Sequence, residues 1–113
     1  MNLTEDYCSF ELSKLLKEKG FDEDTERVYE RNIMACRYED YPMPTHQMAI
    51  KWLREERWKY IEISFSVTLN GEPQYNFGVL NRSAQWVYRH KQPFSTYEEA
   101  VEAAIKYSLE NLI

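Results

Sequence analysis

From Ile61 to Leu69, and again from Tyr75 to Val79, apolar and polar residues alternate with a period of two. Ile61, Ile63, Phe65, Val67 and Leu69 are separated by Glu62, Ser64, Ser66 and Thr68, and Tyr75, Phe77 and Val79 by Asn76 and Gly78. Such alternation marks strands with one buried face and one open, hydroxyl-rich face. Asn70-Gly71 between them is the signature of a two-residue hairpin turn, but parity opposes that turn. Facing residues across a hairpin have a constant summed position, and a loop of 70–71 makes the sum odd, setting every apolar residue against a polar one. The pattern therefore predicts a three- or five-residue loop centred on Gly71, pairing Val67 with Tyr75, Phe65 with Phe77 and Ile63 with Val79, with Pro73 at the strand's edge.

A third strand over 84–90 can turn either Ala84, Trp86 and Tyr88 or Gln85, Val87 and Arg89 inward. The aromatic set has much more apolar area to bury and is expected inside. The sum is then odd, which requires a two- or four-residue loop around Asn81-Arg82 and brings Trp86 opposite Phe77 and Tyr88 opposite Tyr75.

The remaining periodicities are helical. Thr4, followed by Glu5 and Asp6, reads as the cap of a helix over 4–19 with Cys8, Leu12, Leu15, Leu16 and Lys19 on one stripe. Gly20 then stops it and Phe21 folds back onto its last turn. In "PTHQMAIKWLREE", residues 44–56, Thr45 caps a helix of about three turns that buries Met48, Ala49, Trp52 and Leu53 and leaves Gln47, Lys51, Arg54 and Glu55 outward. Ser95 with Glu98, or Thr96 with Glu99, forms a capping box for a last helix whose stripe is Tyr97, Ala100, Val101, Ala104, Ile105, Leu109 and Leu112. Residues 27–38 lack helical period and read as two short strands turning at Arg31-Asn32, after a solvated acidic loop at 22–26. The prolines of "EDYPMP" then force an extended connection. The order is α-β-β-α-β-β-β-α: one α+β domain over 1–113, a largely antiparallel sheet packed against helices in two layers.

Composition changes this picture little. Of 113 residues 43% are apolar and 15% aromatic, which suits a folded chain with a real core. The net charge of −5 is concentrated at the two ends, with a mildly basic middle, and disfavours a non-specific nucleic-acid binder. The N-terminal residues lack the pattern of a secretion signal and no long apolar run occurs, so a cytoplasmic protein without a membrane partner is expected.

Candidate chemistry is sparse. Cys8 and Cys36 stand in no metal-ligand spacing and read as structural thiols; with His46 either would make a nucleophile pair only if folding brought them together. At the first position of a helix, His46 is more ordinarily a solvated residue. The pairs Glu98-Glu99 and Glu55-Glu56 suggest glycosidase carboxylates, but capping and helix-end placement explain them. No catalytic residue, metal site or cofactor is assigned, and the chain reads as a non-enzyme. Two binding features remain. Arg82, Trp86, Tyr88, Arg89, His90 and Lys91 interleave cations with rings, as single-stranded nucleic acid requires. Glu62, Ser64, Ser66, Thr68, Gln74 and Asn76 form the sheet's open face.

The stretches "PTHQMAIKWLREE", "FSTYEEAVEAAIKYSLENLI" and "YCSFELSKLLKEKGF" resemble a family of small uncharacterised proteins common in gut Bacteroidetes and their phages. The resemblance covers about half the chain and implies bacterial or phage origin, a cytoplasmic location and an accessory role; it brings no catalytic residue. The expected function is a protein-interaction module acting through the sheet's open face or an edge, as a homodimer or with another protein. Nucleic acid is the less favoured partner, and a Cys/His enzyme the least favoured reading.

Overall fold

A computed structural model describes residues 6–25, 28–33 and 37–113, with the side chains of 28–33 and 37–41 left aside. The elements run α1 (Phe10–Glu18), β1 (Val28–Ile33), β2 (Arg37–Pro42), α2 (His46–Arg57), β3 (Tyr60–Val67), β4 (Pro73–Leu80), β5 (Trp86–Arg89) and α3 (Tyr97–Asn111). This is the expected order in a two-layer α+β arrangement. The strands divide into two antiparallel sheets, a β1-β2 hairpin and a three-stranded sheet of order β3-β4-β5. Arg31 and Asn32 are not a turn. They lie inside β1, paired with Glu39 and Tyr38.

α3 is the central element. Its residues Val101, Ile105 and Leu109 pack with Cys8, Leu12, Leu16, Phe21, Ala49, Trp52 and Leu53 into a core between helices. Ala104 packs against Phe77 and Val79 of β4, and Ile61 and Ile63 of β3 touch both clusters. The odd-numbered face of the sheet therefore meets the helices, as the alternation predicts. Of the two possible capping boxes the second forms: the Glu99 N–H donates to Thr96 Oγ1 (3.1 Å) and that hydroxyl donates to Glu99 Oε1 (2.9 Å).

α1 starts later than expected. Ser9 is its N-cap, accepting the Leu12 N–H, and residues 6–9 are drawn instead against the segment before α2. The Cys8 N–H donates to Pro44 O (2.9 Å), the His46 N–H donates to Asp6 O (2.8 Å), and Tyr7 bridges Thr45. Backbone groups committed to that pairing cannot also form a helical turn; Thr4 lies outside the described residues. The other end is as read, with Gly20 at φ 107° and the Phe21 N–H donating to Leu16 O. α2 matches its expected cap and buried face, Thr45 Oγ1 accepting the Met48 N–H.

Parity holds in the β3-β4 hairpin, but the register is shifted. Val67 faces Pro73, Phe65 faces Tyr75, Ile63 faces Phe77 and Ile61 faces Val79. The loop is three residues centred on Asn70, and Gly71 is its third residue, at φ 81°, donating its N–H to Thr68 O. In such loops a turn is followed by one left-handed residue, and glycine belongs at that last position rather than at the middle. Val67, Leu69 and Phe65 are exposed.

The β4-β5 hairpin departs further. Asn81 organises a three-residue loop, its side chain accepting the N–H groups of Ser83 and Gln85 while its own N–H donates to Gln85 O. A bulge then inserts one residue in β5, so Leu80 faces Trp86 while Val79 faces Tyr88. Trp86 and Tyr88 end on opposite faces, and the residue opposite Tyr75 is Phe94. A side chain two positions along a strand normally keeps its face; the bulge removes that rule at one point.

Gly71→Ala should destabilise the fold by roughly 1–2 kcal/mol, because a left-handed residue with a Cβ is strained even where space is open, as it is here. Gly71→Asn should recover part of the loss. Urea denaturation of the three proteins checks the order.

Candidate functional site

Two places gather polar chemistry. The first lies where α1, α2 and α3 meet. Ser9 holds the α1 N-terminus, Thr45 fixes the start of α2, and Glu102 sits in the second turn of α3 on the flank of its apolar stripe. Glu102 Oε1 accepts the Ser9 N–H (3.0 Å), and Oε2 lies 2.6 Å from His46 Nε2. An ionised carboxylate only accepts, so that ring nitrogen carries the proton. Burial pushes the Glu102 carboxyl up, but hydrogen bonds from the His46 ring and from the hydroxyl and N–H of Ser9 outweigh it, with the attraction of His46 added, and hold it below its ordinary value.

His46 is therefore not the solvated first-turn residue expected from its position; it is 7% exposed. Cys8 completes the cluster. One donor atom from each of Cys8, His46 and Glu102 lies within 4.8 Å of the other two. The Cys8 side chain is fully buried, and burial, then the negative charge of Glu102, pushes its thiol up to about 12. The Cys8 and His46 pairing weighed from sequence thus exists in space, but Cys8 stays a thiol at neutral pH and lacks the thiolate that nucleophilic chemistry needs. Cys36 lies outside the described residues.

His46 and Glu102 open onto a cleft of about 610 Å³. Its wall carries Asp6, Glu98, Glu99 and Glu102 against one cation, Lys106. Glu102 is the residue that sequence reasoning missed. Its only signal is an acid placed beside a helix's buried stripe, where a solvated carboxylate is the ordinary outcome.

The second place is the open face of the three-stranded sheet. Glu62, Ser64 and Ser66 are exposed there, Asn76 stands opposite Ser64, and Gln74 opposite Ser66. Asn76 Nδ2 donates to His90 O. Thr68 has left the strand, and its hydroxyl accepts the Glu72 N–H at the turn.

The basic and aromatic segment is split by the bulge. Tyr88 and His90 enter the inner aromatic layer: Tyr88 stacks on Tyr107 (3.7 Å between centroids), His90 stacks on Phe77 (4.8 Å), and the Tyr88 hydroxyl meets His90 Nδ1. Trp86, expected inside, lies flat on Gly78 instead and is 44% exposed; a Cβ at position 78 would collide with its ring. Arg89 sits 4.7 Å over Trp86, and Arg82 5.0 Å over Trp58. Lys91 is exposed without joining either pair.

No known protein family, characterised protein or solved structure matches this chain. Among the described residues no helix is long and apolar enough to cross a membrane.

Glu102→Gln should cost about 1.5–3 kcal/mol, the range for hydrogen bonds to a charged group. Because the folded carboxyl is held below its ordinary 4.5, its contribution is full above that pH and fades as pH falls through the folded value. Thermal unfolding over an acid pH series should therefore show the gap between wild type and Glu102→Gln narrowing as pH drops.

Proposed function

We propose that the chain is an interaction module that associates with a second copy of itself through the free edge of β3. The observation that carries this reading is the contrast between the sheet's two edges. β5 is short, bulged and carries Arg89, the features by which edge strands are blunted. β3 runs for eight residues without a bulge or proline, has Glu62 as its only charge, and among the described residues pairs with β4 alone. Phe65 and Val67 are 63% and 57% exposed beside it, and Tyr75 and Tyr97 continue the ring contacts from Phe65.

The strand is self-complementary. An antiparallel pairing of two β3 strands about Ser64 sets Ile61 opposite Val67 and Ile63 opposite Phe65, with Glu62 opposite Ser66. Apolar residues meet apolar ones, no like charges face each other, and two three-stranded sheets become one of six strands. The buried thiol of Cys8 also favours a binding role over a thiolate enzyme.

Ser64→Glu places like charges at the two-fold and should weaken association about fivefold, for a cost of up to about 1 kcal/mol. Ser66→Lys brings a cation opposite Glu62 twice and should strengthen it. Sedimentation equilibrium over a concentration series checks both; a strict wild-type monomer would reject the reading.

A second reading is favoured by the exposed Trp86 with Arg89 above it, a ring and a cation on an open sheet face. That pair suits single-stranded nucleic acid, although the overall charge opposes it. A labelled oligonucleotide at low salt should then bind in a salt-dependent way, and Trp86→Ala with Arg89→Ala should weaken it at least about tenfold. Lack of low-salt binding rejects this alternative.

A further inference from the structure

Glu102 ties Ser9 to α2 through the His46 ring, and beside that pair stands a third donor, the thiol of Cys8, which also contacts Thr45 O (3.9 Å). Carboxylate, imidazole and thiol thus converge from three segments of the chain. We propose that these three side chains bind a zinc-type divalent cation, with Cys8 Sγ, a ring nitrogen of His46 and a Glu102 carboxylate oxygen as ligands and a fourth position open to the acidic cleft.

The donor set selects the class of metal. Sulfur, imidazole nitrogen and one carboxylate oxygen suit zinc, whereas magnesium and calcium take oxygen ligands. Tetrahedral zinc at 2.0–2.3 Å from its ligands places those ligands about 3.3–3.8 Å apart. The three donor atoms lie within 4.8 Å of one another, and His46 Nε2 and Glu102 Oε2 are at 2.6 Å. The His46–Glu102 pair must open by about 0.7 Å and the thiol approach by up to about 1 Å, movements within the reach of side-chain torsions. Each ligand stands on a held backbone: Cys8 and His46 on the two sides of one pairing, in which the Cys8 N–H donates to Pro44 O and the His46 N–H to Asp6 O, and Glu102 within α3.

Access and balance are both provided for. His46 and Glu102 line the cleft, whose acids attract cations, while Cys8 lies behind them. On binding, the three protein ligands replace waters of the hydrated cation, which becomes four-coordinate and keeps one water toward the cleft. The thiol proton passes to solvent, and the imidazole proton sits on whichever ring nitrogen is not a ligand.

Cobalt(II) is the probe, because a cobalt–thiolate bond gives a near-ultraviolet charge-transfer band that carboxylate or imidazole ligands alone do not. The full chain carrying Cys36→Ser should develop this band to one equivalent of cobalt, and zinc should displace it. Cys8→Ser in that background should abolish the band with the circular dichroism spectrum unchanged. Should Cys8→Ser not fold, Glu102→Gln in the same background gives the decision, with cobalt affinity at least tenfold weaker expected. Absence of the band in the Cys36→Ser protein, its persistence after Cys8→Ser, or unchanged affinity in Glu102→Gln overturns the proposal.

Discussion

The carboxylate of Glu102 is the constraint on which the arrangement of helices rests. It accepts from Ser9 at the start of α1 and from His46 at the start of α2, and it is carried by α3, which also covers the sheet. Burying part of a charge is costly unless donors surround it, and here the donors belong to the two segments that must be placed. Backbone bonds between residues 6–8 and 44–46 keep the segment before α1 extended, which is why α1 begins at Phe10, and the carboxylate holds the end of that segment at Ser9. One side chain thus braces the start of α1, links it to α2 and lines a cleft.

On the other side of α3 the packing is apolar. Ala104 packs against Phe77 and Val79, while Phe65 and Val67 stay exposed. The sheet therefore has a covered half and an uncovered half, with an unblunted edge strand running along both. The proposed self-association through β3 rests on that contrast, since exposed apolar residues beside an open strand edge favour a further strand.

What could be read from the sequence was whatever depends on period and local chemistry. The alternation from Ile61 to Val79 identified the covered face and excluded an odd register, and Thr45, Thr96 and Gly20 marked helix ends correctly. What could not be read depends on a single inserted residue or on distance in space. The bulge in β5 sent Trp86 outward and Tyr88 inward, although strict alternation keeps them together. Gly71 took the third loop position, shifting the register by one pair while preserving parity. His46 and Cys8 were visible as residue types, but Glu102, which joins them, is 56 positions from His46 and carried no motif.

Native-state hydrogen exchange at the Ser9 amide tests the central claim most directly. If the Glu102 carboxylate holds this segment, that N–H is released only when α3 unfolds, and its protection should match that of the Val101 and Ile105 amides. Exchange of the Ser9 amide at the rate of an open loop, while α3 stays protected, would contradict the account.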